Sequence, residues 1–200
     1  MDLFDGQAGN ATKGPREVTR TVRGRSQQLV RNAELYHRSF DKSSAPSTPR
    51  TGVAVVTCID ARLNMYGMLG LAEGDAHVIR NAGGVITDDV MRSLVFGQEM
   101  VGTSEIMLIM HDECCMRTIT DDEFAGRLEA RAGVRPDWPA VGFTEPEEEL
   151  RRAVDALRHD PFLMNSTQIR AFIYNERWGS LRELERDGAS PLSRRPAGPA

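Results

Sequence analysis

The chain has 200 residues and a formal net charge of −4 at pH 7, and 40% of its residues are hydrophobic. This length corresponds to about one domain, and the composition supports a folded core rather than a disordered chain. The negative charge gives no general attraction to nucleic acid. The sequence has no run of roughly 18 apolar residues, the length that would predict a membrane-spanning helix.

The cysteine count indicates a reducing compartment. Three cysteines are an odd number, and all lie between positions 58 and 115, which is a poor disulfide framework. The first residues lack the basic and apolar regions of a secretory signal. We therefore expect a cytoplasmic protein.

The N-terminal region is basic relative to the rest, with nine Lys and Arg residues against five Asp and Glu residues in the first 50 positions. Residues 1–24 are predicted to be a flexible segment, and residues 25–40 carry the apolar spacing of a helical arm. This helix must bury its apolar face on its own body or on another subunit. The basic arm is either simply solvated or docks onto an acidic partner surface.

Strands and helices alternate through the next part of the chain. Apolar runs at 53–56, 76–80 and 106–110 predict strands, and Thr87 caps a predicted helix over 88–101. Strand, helix and strand in this order are typical of an α/β fold with a mostly parallel central β-sheet flanked by helices. We expect residues 25–187 to form a single α/β domain with its N-terminal helical arm.

Two later helices have clear start signals. Thr120 and Thr144 are each followed three residues later by glutamate, the spacing of a capping box, which predicts helices at 121–132 and 145–159. The remaining predicted elements are a strand at 168–174, a short strand at 180–184 and a disordered tail at 188–200.

Metal-ligating side chains follow two of the predicted strands. Cys58 comes after the first apolar run, and His111 and Cys114 come after the run at 106–110. Because ligands of open α/β sheets bind at the carboxyl ends of strands, these three side chains are expected to converge at one edge. Two thiolates and one imidazole suit zinc, with a fourth position left for water or a carboxylate.

Three motifs together resemble those of the β-class carbonic anhydrases, in order and spacing. They are Cys58-x-Asp60-x-Arg62, Arg80-Asn81-Ala82-Gly83-Gly84 and His111-x-x-Cys114. The resemblance covers about residues 25–185 and is closest to the compact bacterial branch. It implies a mostly parallel sheet, a homodimer or homotetramer with the N-terminal helix packed on the partner subunit, and one zinc ion per subunit. It further implies reversible hydration of carbon dioxide to bicarbonate and a proton by zinc-bound hydroxide.

Asp60 and Arg62 are the candidate catalytic residues. As a fourth zinc ligand Asp60 would close the site, whereas beside the metal it would orient the zinc-bound nucleophile. Arg62 is placed to hold the Asp60 carboxylate in a bidentate pair and keep it off the metal. The resemblance implies that both the closed and the open arrangement occur.

Two other functions remain open on these residues. Relatives on this scaffold hydrolyse carbonyl sulfide or carbon disulfide, and the three metal ligands do not distinguish those substrates from carbon dioxide. A non-catalytic zinc module for redox sensing or regulation is the alternative of another class. The Asp60–Arg62 pair argues against it, and the extra thiol of Cys115, which we expect to be a packing residue, argues weakly for it.

Overall fold

The computed structural model describes residues 15–40, 46–164 and 167–185, with side chains from residue 26 onward. The part of the predicted flexible segment before residue 15, and the predicted tail at 188–200, lie outside the described residues. None of the described helices is long and apolar enough to cross a membrane. The chain divides into two compact units, 1–45 and 46–200.

The first unit contains one long helix, α1, which runs from Pro15 to Arg38. It begins earlier than the predicted helix at 25–40, and a proline is well tolerated at the first position of a helix, where its missing N–H would have no partner. Several large apolar side chains of this unit are exposed. They are Leu29, Val30, Leu35, Tyr36 and Phe40.

The second unit is built on a five-stranded sheet in the order β2-β1-β3-β4-β5. The strands are β1 Val53–Cys58, β2 Ala76–Asn81, β3 Glu105–His111, β4 Gln168–Asn175 and β5 Ser180–Glu183. The first four pair in parallel, and β5 pairs antiparallel with β4. The predicted mostly parallel α/β sheet is therefore confirmed.

Helices connect these strands. They are α2 Met65–Leu69, α3 Asp88–Val101, α4 Asp121–Ala132 and α5 Pro146–His159. The predicted capping box of α4 is present, with Thr120 and Glu123 bonded to each other's backbone. The predicted box at Thr144 is wrong, because Pro146 begins α5 and makes Glu145 the N-cap residue, without a capping hydrogen bond from its side chain.

The strand order reverses direction between β1 and β3, whose carboxyl ends lie side by side. From β1 the chain moves to β2 on one side, and from β2 it crosses to β3 on the other side of β1. Such a reversal of direction between neighbouring strands is where open α/β sheets bind ligands. The last residues of both strands are buried, and α3 packs against β1 while α5 packs against β4 and β3.

Candidate metal centre

The ends of β1 and β3 present one thiol and one imidazole side by side. Cys58 is the last residue of β1, and His111 is the last residue of β3. The two strands are locked together at this edge, because Thr57 pairs with Ile109 and its buried hydroxyl donates to the Ile109 carbonyl at 2.9 Å. Cys114 follows His111 after a short loop and returns a second thiol to the same place.

Cys58, His111 and Cys114, here called the donor cluster, have the geometry of a metal site. Their ligand atoms all lie within 4.8 Å of one another, with the two sulfurs 3.9 Å apart, and all three residues are buried. His111 Nε2 is a buried nitrogen without a hydrogen-bond partner among the described residues. A buried polar atom without a partner is costly. Two sulfurs and one such nitrogen fit zinc, which prefers this donor chemistry.

Electrostatics favour a thiolate in the donor cluster even without metal. The hydrogen bond from the Cys114 thiol lowers the pKa of Cys58 against the opposing effect of burial. The same hydrogen bond, together with burial, raises the pKa of Cys114. Burial opposes protonation of His111, yet the neighbouring Cys58 sulfur and the Glu176 carboxylate outweigh it and raise the pKa of that imidazole. A dication would relieve this accumulation of negative charge.

The Arg80-to-Gly84 motif fixes the loop that carries Cys58 and Asp60. The Arg80 side chain donates to the Cys58 carbonyl at 2.8 Å and to the Asp60 carbonyl at 2.6 Å. Gly84 has a φ of +69°, and a Cβ atom there would lie 2.9 Å from the backbone carbon of Thr57. Only glycine therefore lets this turn approach the end of β1 so closely.

Asp60 and Arg62 form the predicted bidentate pair. Arg62 Nε lies 3.0 Å from Asp60 Oδ1, and Nη2 lies 2.8 Å from Oδ2. The Arg62 backbone N–H also donates to Asp60 Oδ1, at 2.9 Å. Through these bonds Arg62 lowers the pKa of Asp60 to about 2, and Asp60 in turn raises the pKa of the guanidinium. Asp60 is therefore a carboxylate at neutral pH.

Two further carboxylates, those of Glu113 and Glu176, also contact the Arg62 guanidinium. Glu113 Oε2 lies 3.0 Å from Arg62 Nη1, and Glu176 Oε1 lies 3.5 Å from Nη2. Glu176 also accepts a hydrogen bond from His111 Nδ1. Glu176 is not among the site residues that the sequence analysis predicts. The ion pair of Glu113 with Arg62 is a structural contact.

The other candidate residues lie apart from the donor cluster. His77 is half-buried on β2, and His159 is exposed on α5, so neither histidine joins the other donors. Asp112 accepts a hydrogen bond from the Asn175 amide at 2.7 Å. Cys115 is exposed, so the predicted packing role is wrong; the short helical turn that begins there directs its side chain away from the core that buries Cys114.

Comparison with known proteins identifies the family. The profile of the carbonic anhydrase family matches residues 53–135. Beta-carbonic anhydrase 1 of Mycobacterium tuberculosis is 42% identical over 143 residues, which are 72% of this chain and 88% of that protein. A carbonic anhydrase crystal structure from Streptococcus mutans has a TM-score of 0.76 and 38% identity, covering 80% of this chain and 96% of that one.

A more distant relative is named for another activity. The carbon disulfide hydrolase of Acidianus sp. is 28% identical over 154 residues, which are 64% of this chain and 75% of that protein. The mycobacterial protein is both more similar and matched over more of its length. At 42% identity over 72% of its residues, and with the same fold as the streptococcal enzyme, this chain belongs to the β-carbonic anhydrase family.

Proposed function

We propose that this chain is a zinc-dependent carbonic anhydrase that catalyses the reversible hydration of carbon dioxide to bicarbonate and a proton. One observation carries the proposal: a buried donor cluster suited to zinc lies beside a carboxylate that an arginine holds in a bidentate pair. A structural zinc site of two thiolates, histidine and aspartate would not need that arginine. Family membership supports the same reaction.

Each residue has a distinct task in this reaction. Cys58 Sγ, Cys114 Sγ and His111 Nε2 would hold the metal. When bound, zinc supplies a Lewis acid that makes water a nucleophile near neutral pH. Asp60, whose pKa is lowered by Arg62, accepts a hydrogen bond from the reacting water and orients it toward carbon dioxide. Arg62 keeps the Asp60 carboxylate in place and away from the thiols.

Carbon dioxide is the substrate that we expect this chain to prefer. On one zinc-loaded preparation, kcat/KM for carbon dioxide hydration by stopped flow should exceed kcat/KM for hydrolysis of carbonyl sulfide and of carbon disulfide. The metal-binding residues are the same for all three substrates, so a Cys58→Ser preparation is the control for metal-independent background. The reverse ranking would transfer the function to a sulfur substrate, and no turnover of any of them would leave a non-catalytic zinc module.

The assembly and compartment belong to the same proposal. We infer a cytoplasmic homodimer or homotetramer in which the exposed apolar side chains of α1 pack on a second copy of the chain. The exposed Leu29, Val30 and Leu35 of α1 support this assembly, and the three free thiols support a reducing compartment. Light scattering should give the mass of a dimer or tetramer, and cell fractionation should recover the chain with cytoplasmic proteins; a stable, active monomer would contradict the assembly.

A further inference from the structure

The turn that follows β4 is fixed both to itself and to the end of β3. Asn175 Oδ1 accepts hydrogen bonds from the backbone N–H groups of Arg177 and Trp178, at 3.1 and 3.0 Å. Asn175 Nδ2 donates to Asp112 Oδ2 at 2.7 Å, which ties the turn to the residue after His111. Glu176 lies within this turn, so its backbone position is set by the same contacts that join β4 to β3.

A single oxygen of Glu176 accepts two hydrogen bonds and forms one ion pair, with residues from two other segments of the chain. Oε1 accepts from His111 Nδ1 and from the Glu113 backbone N–H at 3.0 Å, and it lies 3.5 Å from Arg62 Nη2. The Glu176 side chain is only 5% exposed, and Oε2 is buried without a hydrogen-bond partner among the described residues. Burying a carboxylate is costly unless its contacts compensate, so these three contacts account for its position.

The Arg62 guanidinium links this carboxylate to Asp60. Nη2 lies 2.8 Å from Asp60 Oδ2 and 3.5 Å from Glu176 Oε1, so one nitrogen stands between the two carboxylates. Because the guanidinium is planar and rigid, a shift of Nη2 toward or away from Glu176 also changes its bond to Asp60. The Glu113 carboxylate holds the other nitrogen, Nη1, at 3.0 Å, and the Glu113 backbone carbonyl accepts a hydrogen bond from Nη2 at 3.1 Å.

We propose that Glu176 is a positioning residue that orients the metal ligand His111 and, through the same oxygen, anchors Arg62. Zinc affinity and the position of the Asp60–Arg62 pair then depend on one carboxylate. A carboxylate accepts hydrogen bonds, so Nδ1 of His111 carries the proton and Nε2 remains free for the metal. The inference rests on the proposed function only in that it takes zinc as the bound metal.

The first test measures zinc affinity by competition with a chelator, without any assay of turnover. Glu176→Gln keeps the shape of the side chain and should weaken zinc binding by about 10–100-fold, the usual effect of losing a carboxylate behind a histidine ligand. The matched control, Glu113→Gln, removes the other carboxylate on Arg62 and should bind zinc like the wild type. Unchanged affinity in Glu176→Gln, or an equal loss in Glu113→Gln, would overturn the role at His111.

A second variant distinguishes the effect of the position of the Glu176 carboxylate from the effect of its charge. Glu176→Asp keeps the negative charge but withdraws it by one methylene group, so it should also bind zinc more weakly than the wild type. Circular dichroism of the metal-free variants checks that both remain folded. If Glu176→Asp bound zinc like the wild type, the charge alone would suffice and positioning would be refuted.

The link to Arg62 has its own readout in the visible spectrum of the cobalt(II)-substituted protein, which responds to the ligands of the metal. Glu176→Gln should shift this spectrum toward that of Arg62→Ala, and the distant variant Glu183→Gln should leave it unchanged. A wild-type spectrum in Glu176→Gln would overturn the link. A chain that binds zinc as expected but does not hydrate carbon dioxide would refute the proposed function and leave these measurements to decide the role of Glu176.

Discussion

Cys58→Ser, His111→Ala and Cys114→Ser should each lower zinc affinity by more than ~100-fold and abolish carbon dioxide hydration. Loss of a partner behind a metal ligand already costs up to about 100-fold, and these changes remove the ligand atom itself. The three donor atoms lie within 4.8 Å of one another in a buried cluster, so each variant leaves only two of the three donors. Elemental analysis after dialysis, with chelator competition for the affinity, measures the effect.

The chain provides a matched control for this experiment. Cys115 is the neighbour of Cys114 but is exposed and lies outside the donor cluster. Cys115→Ser should therefore retain one zinc per chain and wild-type hydration. The site assignment fails if all three ligand variants keep their zinc, or if Cys115→Ser loses it to the same extent.

Arg62→Ala should keep zinc but lose carbon dioxide hydration by about 10²-fold or more, the scale of effect expected when a reacting group is misplaced. Arg62 makes two side-chain bonds to Asp60, and no thiol or imidazole of the donor cluster is changed. Without the guanidinium, the Asp60 carboxylate is free to become the fourth ligand and fill the position that water needs. Stopped-flow kinetics and zinc content on the same preparation measure both parts of this prediction.

Two comparisons make the Arg62 experiment specific. Arg177 lies 4.0 Å from the same Glu113 but has no bond to Asp60, so Arg177→Ala should keep nearly full activity. Asp60→Ala should also be inactive, but the fourth coordination position of its zinc should remain open to water. A crystal structure of zinc-loaded Arg62→Ala should place an Asp60 oxygen at about 2.0–2.2 Å from zinc. Wild-type hydration by Arg62→Ala would show that Arg62 does not hold Asp60 off the metal.

The donor cluster was predictable because its residues follow two apolar runs that strongly indicate buried strands. Cys58 and His111 stand at the ends of two buried, parallel, neighbouring strands, and the rule for ligand sites in open sheets brings them together. The Asp60–Arg62 pair is equally local, since a single residue, Ala61, lies between the partners. Both the short distance between two residues in the sequence and the end of an apolar run can be recognised from the sequence alone.

Glu176 was not predictable in the same way. It is 65 positions from His111 in the sequence, and its contact depends on the register of β3 with β4 and on the turn that Asn175 stabilises. Glutamates in turns are common and usually solvated, so composition gave no signal. The available signal was positional: Glu176 lies two residues beyond Tyr174, the partner of His111 in the sheet.

The sequence predicted helices less well where a proline sets the start of the helix or where the helix is very short. Pro146 places the start of α5 one residue after the predicted start at 145, and Pro15 marks a start for α1 that the apolar pattern from residue 25 did not indicate. The short helix α2 has five residues with a central Gly67, which carry too little periodicity to predict a helix. These errors leave the donor cluster untouched, since none falls on β1 or β3.

The pairing of β1 with β3 also sets the order in which this protein can be assembled. Cys58 and Cys114 are 56 positions apart, and they meet only when β1 and β3, which are not consecutive in the sequence, have paired in the sheet. The complete set of three zinc donors therefore exists only after this pairing has formed. Once bound, zinc acts as a reversible cross-link over that span, where a covalent one would stabilise the fold by about 4 kcal/mol in the chain-entropy account. Metal starvation would then shorten the lifetime of the folded chain as well as stop its chemistry.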